Sequence, residues 1–210
     1  MVEVKKGDLV LLEYTGSLVS TGEVFETTDE NVAKESGIYQ KDTKYGPKLV
    51  LFGSGSVMEG VEDAIRAAQL GKEENFLVRP EKGFGNRIPG LVRIVPYSDF
   101  SKQGIQPKPG MVLTLDGVLA KIKSVGSGRV IVDFNHPMAG ESLLYKLKVL
   151  EVISDDKKKI MSILSYLSLE ASVSEKDGKF EVSFPPSAPK EKVEAARRAI
   201  SSAVPSASFA

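Results

Sequence analysis

Short runs of alternating apolar residues, each closed by glycine or proline, recur along this 210-residue chain and point to short strands joined by tight turns. Val10, Leu12 and Tyr14 alternate with Leu9, Leu11 and Glu13 before Thr15-Gly16, which predicts a strand ending in a turn. A second short strand is expected at 23–26, behind Thr21-Gly22. Between Thr28 and Gly46 the composition turns polar and reads as an irregular flap, with Thr28 placed to cap a short helix that Gly37 ends. An apolar run at 49–52 and the turn Gly53-Ser54-Gly55-Ser56 then lead into Val57, Met58, Val61, Ile65 and Ala68, spaced for a helix that stops near Gly71.

From Arg87 onward the rhythm changes. Pro89, Pro96, Pro107 and Pro109 punctuate the segment, and apolar runs at 111–115 and 118–122 flank Asp116-Gly117, a strong hairpin signal. Gly126-Ser127-Gly128 turns into Val130, Val132 and Phe134, and a last strand sets Tyr145, Leu147 and Val149 against Lys146 and Lys148. The stretch between therefore reads as an insertion between strands of another domain. The tail reads as a helix, hairpin, helix unit: Ile160, Ile163, Leu164 and Leu167 at helical spacing, alternating Phe180, Val182 and Phe184 behind Asp177-Gly178, then a helix with Val193, Ala196 and Ile200 inward. Units of under about 60 residues are marginal alone, so the tail is expected to pack on something, its own copy included.

Composition removes several classes. Lys and Arg number 28 and so do Asp and Glu, which leaves no basic footprint for nucleic acid. With 41% hydrophobic residues the chain can build a core, so disorder is excluded. Absence of cysteine rules out disulfides, thiolate zinc sites and cysteine nucleophiles, and the single histidine, His136, has no thiolate partner for a metal. No window approaches the ~20 apolar residues of a membrane span, and the N-terminus lacks signal-peptide character, so a cytosolic protein without membrane contact is expected.

Gly53, Gly55 and Gly60 invite a phosphate-loop reading, but Val61-Glu62 stand where that loop needs Lys and Ser or Thr. Glu59/Glu62 and Asp155/Asp156 are solvated helix or cap charges, and neither a carboxylate pair nor a Ser-His-Asp arrangement can be assembled. What remains is a set of aromatic and aliphatic side chains, Tyr14, Phe25, Val57, Met58, Phe84 and Tyr145, which serve equally as core or as the wall of a pocket.

In order along the chain, Tyr14-Thr15-Gly16, Gly22-Glu23-Val24-Phe25-Glu26, the segment from Gly53 to Gly60, Gly83-Phe84-Gly85 and the segment from Asp133 to Gly140 resemble the motifs of FKBP-type peptidyl-prolyl isomerases. The Asn135-His136-x-x-Ala139-Gly140 element, with the insertion before it, is similar to the SlyD-like branch, and the tail resembles the long archaeal members of that branch. The resemblance implies an α+β fold: a discontinuous isomerase domain (1–87 and 132–153) with an antiparallel sheet wrapped on a short helix, an inserted β-rich flap domain (88–131) and a small C-terminal α/β unit (154–210). It implies a proline pocket lined by Tyr14, Phe25, Glu26, Val57, Met58, Val61, Phe84, Met138, Ala139 and Tyr145, with neither cofactor nor metal. Glu26 stands where an aspartate is usual, Phe84 replaces a tyrosine, and Val61 sits where many members have tryptophan.

The resemblance also implies that the insertion binds unfolded or partly folded proline-containing chains, through Leu91, Val92, Ile94, Val95, Tyr97 and Phe100, half of which would serve equally as its own core. A homodimer through the C-terminal unit is a further expectation. The alternative to a catalytic chaperone is a non-catalytic holdase or scaffold that keeps the fold.

Overall fold

The computed structural model describes residues 3–115, 117–176 and 178–210. Along the chain these form β1 (Leu9–Leu18), β2 (Val24–Thr27), α1 (Glu30–Glu35), β3 (Lys48–Leu51), α2 (Glu59–Ala67), β4 (Glu73–Val78), β5 (Val92–Pro96), α3 (Tyr97–Lys102), β6 (Val112–Leu115), β7 (Val118–Gly126), β8 (Arg129–Asp133), β9 (Leu143–Ile153), α4 (Asp156–Tyr166), β10 (Ser172–Lys176), β11 (Lys179–Ser183), α5 (Lys190–Ala203) and β12 (Ser208–Phe209). Antiparallel sheets with a few helices make an α+β fold. Two compact units result: residues up to Val78 together with Leu143–Ala210, and Arg79–Ser142. The segment 88–131, expected as the insertion, lies within the second.

In the first unit the sheet order is β2-β1-β9-β4, with β3 also paired to β1, all antiparallel. Alternation along β9 decides its packing: Leu143, Tyr145, Leu147 and Val149 are fully buried while Leu144 and Lys146 are exposed and Lys148 is half-buried. Against the sheet lies α2, in contact with β4 and β9, burying Val61, Ala64 and Ile65 on one stripe. The start of β1 is buried on both faces, which is why it reads as a nearly continuous apolar run. Val10 faces the α2 side, whereas Leu9 joins Ile153 in a core with Ile160, Ile163 and Leu164 of α4 and Ala196 and Ile200 of α5. The tail thus packs on the outer face of its own chain's sheet, and Leu49 and Leu51 of β3 extend that contact.

Two local expectations change. The cap of α1 is Asp29, not Thr28: the Asp29 carboxylate accepts from the amides of Asn31 and Val32. The Thr28 hydroxyl is engaged with the backbone of Tyr14 instead, accepting from its N–H at 2.9 Å and donating to its C=O at 3.2 Å. In the tail, β12 adds a short parallel strand beside β11, so the hairpin β10-β11 becomes a three-stranded sheet. The hairpin signals at Asp116 and Asp177 lie outside the described residues, although the strands that flank each pair antiparallel.

The second unit is a four-stranded antiparallel sheet, order β5-β8-β7-β6. One face carries its core: Ala120, Ile122, Val130 and Val132 with Phe100 from α3. Its two ends are tied together. The Phe134 N–H donates to Leu91 C=O at 3.0 Å, the Gly140 N–H to Gly85 C=O at 2.8 Å, and the Asn135 side chain both accepts from Ile88 N–H and donates to Ile88 C=O. Buried Asp133 accepts from the Asn135 amide and side chain and pairs with Arg87.

Candidate functional site

The strands of the first unit and the start of α2 converge on a cavity of about 340 Å³ lined by Tyr14, Glu26, Lys48, Gly55, Ser56, Val57, Met58, Val61 and Tyr145. Each arrives by a local rule. Tyr14 and Tyr145 point inward from β1 and β9 because their neighbours alternate outward. Val57 and Met58 precede α2, with Met58 extended at its N-cap (φ −60°, ψ 149°), so its amide lies outside the helical ladder. The preceding turn is held from within: Gly53, at φ +77°, donates its N–H to Glu62 Oε1 of α2 at 3.0 Å. That carboxylate occupies the place where a phosphate loop would receive its anion.

The aromatic rings pack on one another. Tyr14 and Tyr145 lie 5.9 Å apart and tilted, and Phe25 meets Tyr145 edge-on at 6.0 Å. Gly16 is required beneath them: a Cβ there would stand 2.9 Å from Phe25 Cζ and 3.1 Å from the Tyr145 ring. Each oxygen of Glu26 accepts from a phenol. Tyr145 donates to its Oε1, Tyr14 donates to its Oε2 at 3.3 Å, and Lys48 Nζ in turn donates to the Tyr14 oxygen at 3.0 Å. Burial, then the charge of Glu26, pushes both phenols above their ordinary range. Burial pulls the Lys48 ammonium down, but the Tyr14 hydrogen bond and nearby Glu26 outweigh it and leave Lys48 above its usual value. The cavity therefore combines the aliphatic side chains of Val57, Met58 and Val61 with two neutral phenols, a carboxylate bonded by both phenols, and the Lys48 ammonium.

Of the predicted pocket residues, Tyr14, Glu26, Val57, Met58, Val61 and Tyr145 share this cavity, and Phe25 lines an adjoining one. Phe84, Met138 and Ala139 belong to the second unit, gathered around His136: Phe84 stacks on its ring at 4.5 Å, and the Met138 N–H donates to its Nδ1 at 3.2 Å. Lys48 was not singled out from the sequence; its place two residues before apolar Val50, on the same face of β3, was the available signal. Among the described residues no group of three or more His, Asp or Glu side chains stands close enough to hold a metal ion, and no helix is long and apolar enough to cross a membrane.

In the second unit Phe100 is 2% exposed, and Val95 and Tyr97 pack against the same core, because α3 closes that face. The face opposite is open: Val92 and Ile94 of β5 and Ile131 of β8 are exposed, Ile94 at 64% and directly across from Ile131. Val112 of β6 and Leu119 of β7 are exposed on the same face, beside Lys121 of β7, and Leu91 before β5 is half-buried.

The antiparallel α+β fold and the cavity between β1, β9 and the start of α2 define a class that comparison with known proteins identifies. A family model described as FKBP-type peptidyl-prolyl cis-trans isomerase matches residues 2–109, and one described as FKBP26, IF domain, matches 93–138. The chain is 37% identical over 149 residues to the short-type peptidyl-prolyl cis-trans isomerase of Methanocaldococcus jannaschii, covering 71% of this chain and 94% of that one. It is 32% identical over 130 residues to SlyD of Helicobacter pylori, covering 60% and 63%, and 28% identical over 125 residues to the FKBP-type 16 kDa isomerase of Escherichia coli, covering 56% and 83%. The chain belongs to the FKBP-type peptidyl-prolyl cis-trans isomerases and is an enzyme of that class.

Proposed function

We propose that isomerisation takes place in the cavity walled by Tyr14, Val57, Met58, Val61 and Tyr145, with Phe25 bracing Tyr145. The observation that carries this reading is the cavity in which Val57, Met58, Val61 and two tyrosines surround a carboxylate bonded on each oxygen by a phenol. Rotation about an X–Pro bond is slow because amide resonance sets a barrier of about 18–20 kcal/mol. The planar amide is more polar than its twisted transition state, so a dry cavity disfavours the former relative to the latter. The amide of Met58, outside the helical ladder, is the donor that holds the client's carbonyl. A thousandfold acceleration needs only about 4 kcal/mol, which desolvation and one or two hydrogen bonds of about 1 kcal/mol each supply.

The open apolar face of the second unit is the surface that holds unfolded chains, through Leu91, Val92 and Ile94 together with Val112, Leu119 and Ile131. Val95, Tyr97 and Phe100 support it from the core side. Segments rich in apolar residues would dwell there while their prolines reach the cavity of the same molecule. A homodimer through the C-terminal unit would have to use residues other than Ile160, Ile163, Leu164, Ala196 and Ile200, which are already buried within the chain, and sedimentation at the monomer mass would remove it. Conversion of the cis form of a short X-Pro peptide, followed with and without the protein, tests the central reading: acceleration is expected, and an unchanged rate alongside suppressed aggregation of an unfolded protein would make this a holdase.

A further inference from the structure

Beside the proline cavity lies a second one of about 280 Å³, and the two share the wall formed by Tyr14, Glu26 and Lys48. Its remaining lining is Phe25, Thr27, Thr28 and Gly46, the flap residues Ile38, Gln40, Thr43, Lys44 and Tyr45, and Tyr166 at the end of α4. The charges facing it are two ammonium groups, Lys44 and Lys48, and one carboxylate, Glu26. Glu26 has both oxygens engaged by Tyr14 and Tyr145. An ammonium has three N–H donors. Lys48 spends one on the Tyr14 oxygen, and Lys44 spends one on the Tyr166 C=O at 2.9 Å. The cavity thus holds a surplus of positive charge and unspent donors. Lys44 is not a loose surface side chain, for its ammonium also stands 5.1 Å from the centre of the Tyr166 ring.

We propose that this second cavity is a subsite that selects client segments carrying a carboxylate close to the isomerised proline, with Lys44 and Lys48 as the selecting groups and Tyr166 of the C-terminal unit positioning Lys44. The inference rests on the isomerase reading above. With only the shared wall of Tyr14, Glu26 and Lys48 between the cavities and about 3.3–3.6 Å of chain per residue, a client whose proline fills the first cavity reaches the second within two or three residues. An acidic side chain there completes the donors of both lysines, an amide meets them without charge, and a client lysine is repelled.

The test uses the full chain and proline peptides with Glu, Gln or Lys at each of the two positions before and after proline, with isomerisation followed by exchange NMR. The expected result is a kcat/KM for Glu about fivefold above Gln at one of these positions, with Lys below Gln, carried mainly by KM. The spread should shrink in about 0.5 M salt, where charge is screened over a few ångströms. Lys44→Gln should shrink it as well, whereas Lys192→Gln, on exposed α5 surface, should not. Rates for Glu, Gln and Lys within twofold of one another at every position would overturn the subsite while leaving the isomerase intact. No turnover of any peptide, neutral ones included, would overturn both.

Discussion

The two large sheets of this molecule are built from similar strands and finished in opposite ways. In the first unit both faces are covered near the start of β1, by α2 on one side and by α4 and α5 on the other, and the aromatic residues at the far end close around a cavity. In the second unit α3 covers one face and the other is left open with Ile94, Val112, Leu119 and Ile131 on it. A sheet packed on two sides holds side chains in fixed rotamers, which a pocket for one residue requires. A sheet packed on one side keeps an adaptable apolar surface, which suits ligands of no fixed shape.

The largest effect should separate the faces by stability. Tyr145→Ala, which empties a fully buried site, should cost about 3–5 kcal/mol in urea unfolding, whereas Ile94→Ala should stay within about 0.5 kcal/mol. Equal costs would break the comparison. Next comes function: residues 93–132 replaced by Asn-Gly, joining the paired Val92 and Asp133, should keep tetrapeptide isomerisation within about tenfold, while proline-limited refolding of a whole protein falls at least tenfold further. Parallel losses in the two assays would take the client-holding role away from the open face. Gly16→Ala is smaller, about 1–3 kcal/mol, and it should raise KM because the Phe25 and Tyr145 rings must shift; an unaltered KM would place the substrate away from these rings.

The smallest effect sharpens the chemistry of the closed site. The phenol of Tyr145 and the ammonium of Lys48 are both held above their ordinary values, so each contributes stability that is fully present below about pH 10 and is lost as pH rises beyond it, because only the unfolded chain deprotonates there. Between about pH 6 and 8 isomerisation should accordingly be nearly flat. In alkaline unfolding Tyr145→Phe should show a shallower loss than the parent between about pH 10 and 11. A bell-shaped rate profile near neutrality, or identical alkaline slopes, would mean that the phenols of this cluster are not held neutral as described.

Much of this was legible in residue patterns, and what was not has local reasons. Along β9, Tyr145, Leu147 and Val149 alternate with lysines, so both the strand and its buried face could be read directly. Nothing in 73–78 announces β4, where Glu73, Asn75 and Leu77 face solvent and only Val78 is fully buried. Thr28 looks like a cap because its neighbours suit one; the strand beside it claims its hydroxyl, and Asp29 takes the role. In the insertion the apolar residues were visible but not their sides: Phe100 and Ile94 look alike in sequence, and the placement of α3 alone makes one core and the other surface.

By itself the sequence determined the turns, the strand faces, the lack of any thiol or acid–base constellation and the ordered motifs that mark the family. Those are local or compositional properties, set by backbone sterics and by a side-chain period of two or 3.6. Tertiary structure alone decided that Leu9 is covered by helices roughly 150 and 190 positions further along the chain, that Glu26 is shared between two tyrosines, and that Lys44 and Lys48 face one cavity with Tyr166 behind them. Periodicity says which way a side chain points, but what it meets there depends on segments whose separation in sequence carries no record of their distance in space.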